Sequence, residues 1–252
     1  MRGRHRHLNK SLRDTACAFD SRFLSGFSDG NAVDTWTDLS SNARNASQST
    51  AANRPLYKTG VQGGNPVIRF DGSNDLLQTT TFASASELTA IQVIKANAWI
   101  PPTDYRQSSG HGSGDSPTTT SGINFFSIAP SSFWYWQTGD LIGFGNGYQD
   151  TNPKAAGPAA SGSDFRIIST VFWTSLSRIY SNGTRLSTRV EATAAAGSFT
   201  RAFSIGGPTS AIATDRWLGD IAAVIYYQSN IGEAMRARIE RSNAYSFRIA
   251  CS

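Results

Sequence analysis

From residue 65 onward, short runs of apolar and β-branched residues alternate with turns that are rich in Gly, Ser, Thr and Asn. The runs at 65–70, 88–96 and 164–174 have the length and the composition of strands. The runs at 203–205 and 217–227 predict the closing strands. Short strands separated by turn residues are typical of a β-sandwich or a β-barrel.

A hairpin is predicted at Asn182 and Gly183, which separate the strand-like runs 176–181 and 184–190. Both central residues of a type I′ turn need a positive φ, and Asn and Gly tolerate it best. This dipeptide therefore predicts that the two flanking strands pair.

One helix is predicted near the C-terminus, beginning at Asn230 and ending near Ser242 or Asn243. Asn230 is a suitable N-cap residue, and Glu233 follows three positions later, as in a capping box. The predicted buried stripe of this helix consists of Ile231, Met235, the stem of Arg238 and Ile239.

The chain is predicted to contain an N-terminal arm at residues 1–16 and one domain at residues 17–252, because we find no internal repeat or linker. Residues 101–122 and 139–162 are rich in Gly, Pro and Ser, and we interpret both stretches as long loops. The sequence contains no run of 18 apolar residues, so no membrane span is predicted. No apolar stretch follows the basic start, so no signal peptide is predicted. A membrane partner is therefore not expected.

The composition favours an all-β fold over a helical bundle. Hydrophobic residues make up 39% of the 252 residues and charged residues only 16%. Glu and Lys, which the exposed faces of a helical bundle need, occur four times each.

The formal net charge of +5 arises in residues 1–13 of the N-terminal arm, which contain no acidic residue. Its basic residues are Arg2, Arg4, Arg6, Lys10 and Arg13. Without these five, 18 of the 23 basic residues remain against 18 acidic ones, so a nucleic-acid groove on the folded domain is not expected. We expect the arm to dock on neighbouring proteins of an oligomeric assembly; the alternative is a frayed, soluble terminus.

Both ends of the chain carry stretches with the pattern of one fold family. These are FDSRFLSGFSDGNAVDTWTD at 19–38, GNPVIRFDGSNDLL at 64–77, SIGG at 204–207 and LGDIAAVIY at 218–226. Together they resemble the concanavalin A-like jelly-roll domains of the laminin G type, which occur in bacteriophage structural proteins and bacterial surface proteins. The resemblance implies two antiparallel sheets packed face to face, with the first and last strands adjacent.

The resemblance also implies that Cys17 and Cys251 lie near one another, as a disulfide bridge requires. Such a bridge would close nearly the whole chain and stabilise it by roughly 4 to 5 kcal/mol in the loop-entropy model. The alternative is a pair of free, buried thiols, as expected in a reducing cytosol.

Catalytic motifs are missing from the sequence. Retaining glucanases of the resembled family carry a Glu-x-Asp-x-Glu strand, because hydrolysis needs two carboxyl groups about 5 to 5.5 Å apart, and no such strand occurs here. His111 is the one histidine outside the arm, in a predicted loop where we expect it to be solvated. We therefore predict that the protein is not an enzyme.

A calcium site is a candidate at Asp71, Asn74 and Asp75, because domains of the resembled type hold Ca²⁺ at a rim with such oxygen ligands. The alternative for these residues is a turn in which the Asp side chains accept main-chain hydrogen bonds. No other cofactor is expected, because no zinc-ligand spacing or phosphate-binding loop occurs.

Clustered aromatic residues are the best candidates for ligand contact. Residues 133–136 read Phe-Trp-Tyr-Trp, and an extended strand points alternate side chains to opposite faces. We predict that Trp134, Trp136 and Tyr105 contact a sugar ligand, the alternative being that both faces of this strand are covered. Trp36, Trp173 and Trp217 lie in strand-like contexts and are predicted core residues.

These inferences predict a non-enzymatic structural, decoration or host-attachment protein of a bacteriophage virion. The arm would bind other virion proteins, and the jelly-roll domain would bind glycans on the host surface. Assembly in the host cytoplasm and release by lysis would need no signal peptide. The alternatives are a bacterial carbohydrate-binding or adhesion module and a degenerate glycanase.

Overall fold

The computed structural model describes residues 15–96, 106–111, 123–128, 134–135, 164–173, 176–190, 200–208 and 216–252. These residues form two antiparallel sheets and one α-helix near the C-terminus. The predicted all-β sandwich with a short C-terminal helix is therefore confirmed. Within the described residues, no helix is long and apolar enough to cross a membrane.

The strands precede the α-helix along the chain. They are β1 (Cys17–Asp20), β2 (Thr35–Trp36), β3 (Ala46–Ser47), β4 (Leu56–Gln62), β5 (Asn65–Asp71), β6 (Leu77–Ala83), β7 (Leu88–Ala96), β8 (Arg106–His111), β9 (Ile123–Ile128), β10 (Trp134–Tyr135), β11 (Arg166–Trp173), β12 (Leu176–Ser181), β13 (Thr184–Val190), β14 (Thr200–Ile205) and β15 (Leu218–Tyr227). The helix, α1, spans Glu233–Phe247, and short 3₁₀ helices span Ser21–Phe23 and Ala51–Asn53.

The first sheet has the order β13-β12-β11-β7-β15-β5-β4, and β1 also pairs with β15. The second sheet has the order β10-β9-β8-β14-β6-β3-β2. Strand β15 is the centre of the first sheet, since it pairs with β7 on one side and with β5 and then β1 on the other. The expected adjacency of the first and last strands is therefore confirmed.

The predicted hairpin between β12 and β13 is also confirmed. Asn182 and Gly183 form its turn with φ values of 49° and 87°, the positive values that a type I′ turn needs. The Asn182 carbonyl accepts a 2.9 Å hydrogen bond from the Ser252 amide, so the end of the chain lies on this turn.

The main core lies between the two sheets. Trp36 and Trp217 are fully buried there, as predicted, whereas the Trp173 side chain lies outside the described part of the structure. A second apolar cluster lies on the outer face of the first sheet, where α1 packs with Ile239 and Phe247. The first sheet is therefore covered on both faces, which explains why β7 and β15 are buried along almost their whole length and consist mainly of apolar residues.

Helix α1 differs from its prediction in both its bounds and its buried face. It begins after Gly232, and Asn230 instead accepts a hydrogen bond from the Gly232 amide. Met235 is 38% exposed and Arg238 is exposed, whereas Arg236 and Glu240 are buried. The buried face accepts these charges because they pair at i and i+4 and because the Arg236 guanidinium lies 3.5 Å from the centre of the Tyr180 ring.

The interpretation of residues 101–122 as one loop is wrong, because β8 lies inside this stretch. Strand β8 pairs with β14 and β9. Its sequence, RQSSGH, lacks the apolar residues that identify a strand, and only its position between two other strands makes it one. The second predicted loop, 139–162, lies outside the described residues.

Candidate functional site

Two of the predicted sites lie largely outside the described residues. Trp134 belongs to β10 at the edge of the second sheet, where its backbone pairs with Ile128. Trp136, Tyr105 and the basic arm, with Arg2, Arg4, Arg6, Lys10 and Arg13, lie outside the described part of the chain. Ligand contact through these aromatic residues and docking through the arm therefore stay predictions.

The candidate calcium residues form a self-contained turn after β5. One carboxylate oxygen of Asp71 accepts hydrogen bonds from the amides of Ser73, Asn74 and Asp75, at 2.8, 3.2 and 3.4 Å. A carboxylate oxygen of Asp75 accepts a 2.8 Å hydrogen bond from the Asp71 amide in return. Calcium needs six to eight oxygen ligands, whereas main-chain amides here already occupy one oxygen of each of the two Asp carboxylates. The geometry favours the turn alternative.

Asp75 is the more unusual of these two carboxyl groups. It is buried, and burial raises its pKa from the ordinary value of 3.8 to about 6, although the hydrogen bond from the Asp71 amide opposes this rise. Within the described residues, no group of three or more His, Cys, Asp and Glu side chains is placed to hold a metal ion.

The two cysteines are free thiols on different faces of the first sheet. Cys17 lies in the core between the sheets, where burial raises its pKa well above the ordinary value. Cys251 packs against the second cluster, on the outer face beside the hairpin turn at Gly183. The structure therefore corrects the implied proximity of the two thiols, because the sheet itself lies between them.

His111 is not the solvated loop residue that we predicted from the sequence. Its side chain is fully buried between the sheets and stacks on the Phe82 ring, with 4.3 Å between the ring centres. Nε2 faces the carbonyls of Phe82 and Arg201, so it carries the proton, and Nδ1 accepts from the Tyr226 hydroxyl at 3.1 Å. Burial lowers the pKa of His111 to about 4, so the imidazole joins the two sheets as a neutral group.

Most described carboxylates are committed to internal partners. Four pairs are Asp20 with Arg22, Asp29 with Lys58, Asp220 with Arg69, and Glu240 with Arg236. Asp38 accepts hydrogen bonds from the amides of Ala18, Ser40 and Arg44. These groups hold loops and strands together rather than facing a shared opening.

An open cleft of about 640 Å³ lies where the C-terminal end of α1 meets the turn between β4 and β5. Gly63 and Asn65 line it from the turn, and Tyr245, Ser246 and Arg248 line it from the end of the helix. Tyr245 is 75% exposed, more than any other large hydrophobic residue that the structure describes. No carboxylate or imidazole belongs to the described lining of this cleft.

The walls of the cleft are fixed by hydrogen bonds from the turn to the end of the helix. The Asn65 side-chain amide donates to the Ser246 carbonyl at 2.8 Å, and the Gln62 amide donates to the Phe247 carbonyl at 2.8 Å. These bonds satisfy carbonyls that have no partner within the helix. A Cβ atom on Gly63, where φ is +60°, would lie 2.9 Å from the Phe247 carbonyl oxygen. Glycine is therefore needed for the helix end to approach the turn this closely.

We did not predict this cleft from the sequence. The predicted helix ended at Ser242 or Asn243, before Tyr245 and Arg248. The useful signal was the continued helical spacing of apolar residues, since Ala244 and Phe247 extend the buried face begun by Ile239.

No family model matches the sequence, and no curated protein matches it. Several solved structures are similar in fold. The Trypanosoma rangeli sialidase in complex with 2,3-difluorosialic acid is 12% identical with a TM-score of 0.60, and the match covers 91% of this chain and 33% of the sialidase. The binding domain of Paraclostridial Mosquitocidal Protein 1 is 15% identical with a TM-score of 0.60, covering 92% of this chain and 53% of that one.

The receptor binding domain of botulinum neurotoxin D is 7% identical with a TM-score of 0.61, and the match covers 91% of this chain and 53% of that domain. The chain thus spans between a third and about half of the length of these structures. Likeness at this level of identity shows the β-sandwich fold.

Proposed function

We propose that this chain is a non-enzymatic carbohydrate-binding domain that attaches a larger assembly to a glycan-bearing surface. The cleft at the end of α1 carries this proposal. An exposed aromatic ring beside polar groups is the arrangement that stacks on the apolar face of a sugar ring, while hydroxyl and amide groups bind its substituents. Tyr245 supplies the ring, and the Ser246 hydroxyl and the Oδ1 atom of Asn65 supply the polar groups, since Nδ2 of Asn65 already donates to the Ser246 and Gln62 carbonyls.

The similar structures support binding as the role of this fold. Two of them are described as a binding domain and as a receptor binding domain, and a third is a sialidase in complex with a sialic acid derivative. Sandwiches of this kind serve many functions. The proposal that the ligand is a carbohydrate therefore rests on the cleft and not on the fold.

The absence of catalysis is part of the proposal and rests on the carboxylates. Glycoside hydrolysis needs two carboxyl groups on opposite sides of the bond to be broken. Among the described residues the cleft lining contains neither an acid nor a histidine, and Asp71 and Asp75 are engaged in closing a turn. Sugar binding without hydrolysis is therefore the expected activity.

The assembly that the domain serves is proposed to be a bacteriophage virion, with the chain as a structural, decoration or host-attachment protein. This part of the proposal rests on the basic arm, whose five positive charges stand apart from a body with balanced charge. Purified particles from the native source, probed with an antibody against the domain, test it. Absence of the chain from those particles would leave an adhesion module as the function.

Glycan binding is tested on the full chain with a glycan array, followed by titration calorimetry with each glycan that binds. We expect Tyr245→Ala to weaken binding by at least tenfold, and Tyr245→Phe to retain most of it because the ring remains. Met235→Ala, on an exposed position near the other end of the same helix, is the matched control.

Two other outcomes would change the proposal. Loss of binding in a Trp134→Ala, Trp136→Ala double variant, with Tyr245→Ala unchanged, would keep carbohydrate binding but move it to the aromatic residues predicted from the sequence. No binding to any glycan, or release of free sugar during the incubation, would overturn the proposal.

A further inference from the structure

The exposed face of α1 carries a stripe of arginines around Tyr245. Arg238, Arg241, Tyr245 and Arg248 follow one another at spacings of three, four and three residues, which places them along one side of the helix and its cap. All four residues are exposed. Tyr245 lies in the middle of this stripe, with Arg241 about one turn before it and Arg248 just after the last turn.

These three arginines have no acidic partner in the part of the chain that the structure describes. The helix contains two acidic residues, and Arg236 engages both of them, Glu233 at 2.6 Å and the buried Glu240. Arg236 itself is buried and stacks on Tyr180, so its charge is used internally. The surface around Tyr245 therefore carries an excess of positive charge.

The end of the helix does not cancel this charge. Exposed carbonyls at a helix C-terminus form a negative pole that repels anions. Here the Ser246 and Phe247 carbonyls accept from Asn65 and Gln62, and the Ala244 carbonyl accepts from the Ile249 amide at 2.9 Å. The Arg248 stem lies against Gly63, which holds this guanidinium at the edge of the cleft.

We propose that the cleft selects carboxylated sugars, with Tyr245 stacking on the sugar ring and the guanidinium groups of Arg241 and Arg248 binding its carboxylate. This inference rests on the proposed function and names its ligand class. A guanidinium binds a carboxylate through two parallel hydrogen bonds, so an arginine beside an aromatic ring matches an acidic sugar better than a neutral one.

The charge distribution favours an acidic sugar over a nucleic acid. Outside the arm, 18 basic residues stand against 17 acidic ones, so a long polyanion lying across the domain meets nearly as much repulsion as attraction. A single carboxylate needs only the local charge beside Tyr245.

The test compares one carboxylated oligosaccharide with its methyl ester, by calorimetry at low and physiological salt, on the wild-type chain and on variants. We expect the ester to bind at least tenfold more weakly than the acid. Arg241→Gln with Arg248→Gln should remove this preference and leave the affinity for the ester within about twofold. Arg201→Gln, an exposed arginine on strand β14 of the second sheet, tests whether removing a positive charge elsewhere matters, and it should leave the preference intact.

Circular dichroism shows whether the double variant keeps its helix, and the comparison of acid with ester on the wild-type chain does not depend on that variant. Equal binding of acid and ester, with a loss in Tyr245→Ala, would overturn the inference and leave carbohydrate binding in place. No binding of either ligand to any form would overturn both. If an unrelated oligonucleotide displaces the bound acid as well as the free acid does, the surface binds anions in general, and the inference is overturned.

Discussion

The side-chain amide of Gln62 donates a 2.8 Å hydrogen bond to the main-chain carbonyl of Phe247, 185 residues further along the chain. Gln62 ends strand β4, and Phe247 ends helix α1. This contact, with that of Asn65 on Ser246, fixes the end of the helix against the turn and so shapes the cleft that we propose as the binding site. The rigidity of the site therefore depends on two amide side chains.

Removing these amides should loosen the end of the helix. We expect Gln62→Ala and Asn65→Ala each to lower the free energy of unfolding by about 1 kcal/mol, because a partly buried helix carbonyl loses its partner. Hydrogen exchange at the amides of residues 244–249 should become faster. Thr81→Ala, at an exposed position of β6, is the control. Unchanged exchange rates in both amide variants would contradict the assigned role of these bonds.

The stability of the fold should depend on the protonation of His111. Its folded pKa of about 4 lies below the ordinary 6.5, so between these values only the unfolded chain takes up the proton. The contribution of the neutral imidazole to the free energy of unfolding is full above about pH 6.5 and is lost as the pH falls toward 4.

We expect His111→Gln to be less stable than the wild type near neutral pH, with a deficit that shrinks by about 2 kcal/mol between about pH 7.5 and about pH 5. Denaturant unfolding at each pH measures this difference. A deficit that is the same at both values would show that the imidazole is not held in its neutral form.

Asp75 should have the opposite pH dependence. Its folded pKa of about 6 lies above the ordinary 3.8, so the folded chain binds the proton more tightly. The stabilisation that this bound proton gives the folded chain is full below about pH 3.8 and is lost as the pH rises through about 6. Asn accepts the same hydrogen bond from the Asp71 amide without a charge. As the pH rises from about 4 to about 7, the free energy of unfolding of Asp75→Asn should therefore increase by about 2 to 3 kcal/mol relative to that of the wild type. Parallel stability curves for the two proteins would refute the raised pKa.

The buried pair of Arg236 and Glu240 should be sensitive to the loss of one partner. Both side chains are almost fully buried. Arg236→Met leaves the Glu240 charge buried without its partner. We expect this variant to lower the free energy of unfolding by about 3 to 5 kcal/mol. A second change, Glu240→Leu, should restore most of this loss, because the remaining charge is removed. If the double variant unfolds as easily as the single one, the cost comes from the lost stacking on Tyr180 instead.

Calcium should have no effect on stability through the turn at Asp71, Asn74 and Asp75. Main-chain amides already occupy one oxygen of each of the two Asp carboxylates. We expect the same melting temperature in millimolar calcium and in EDTA. A rise of several degrees with calcium, absent in Asp71→Ala, would establish the site that we proposed from the sequence.

Much of the fold could be predicted from local patterns. Strand β7 has the predicted bounds, Leu88–Ala96, because this run is rich in β-branched and other apolar residues. The Asn182-Gly183 turn was predictable because few residues adopt two successive positive φ values. Trp36 and Trp217 were predictable as core residues because large aromatic side chains in strands seldom remain exposed.

Other features depend on contacts that no local pattern contains. His111 is buried because β8 pairs between β9 and β14, although the β8 sequence itself is polar. Arg236 can face the sheet because its guanidinium stacks on Tyr180, and Glu240 can do so because it pairs with Arg236. The cleft forms only where residues 62–65 meet residues 244–249, nearly the whole chain apart. Hydrophobic periodicity thus determined the strands and the existence of the helix, whereas tertiary packing decided which polar groups are buried and where the exposed Tyr245 lies, since burial of a polar group depends on the partner that meets it.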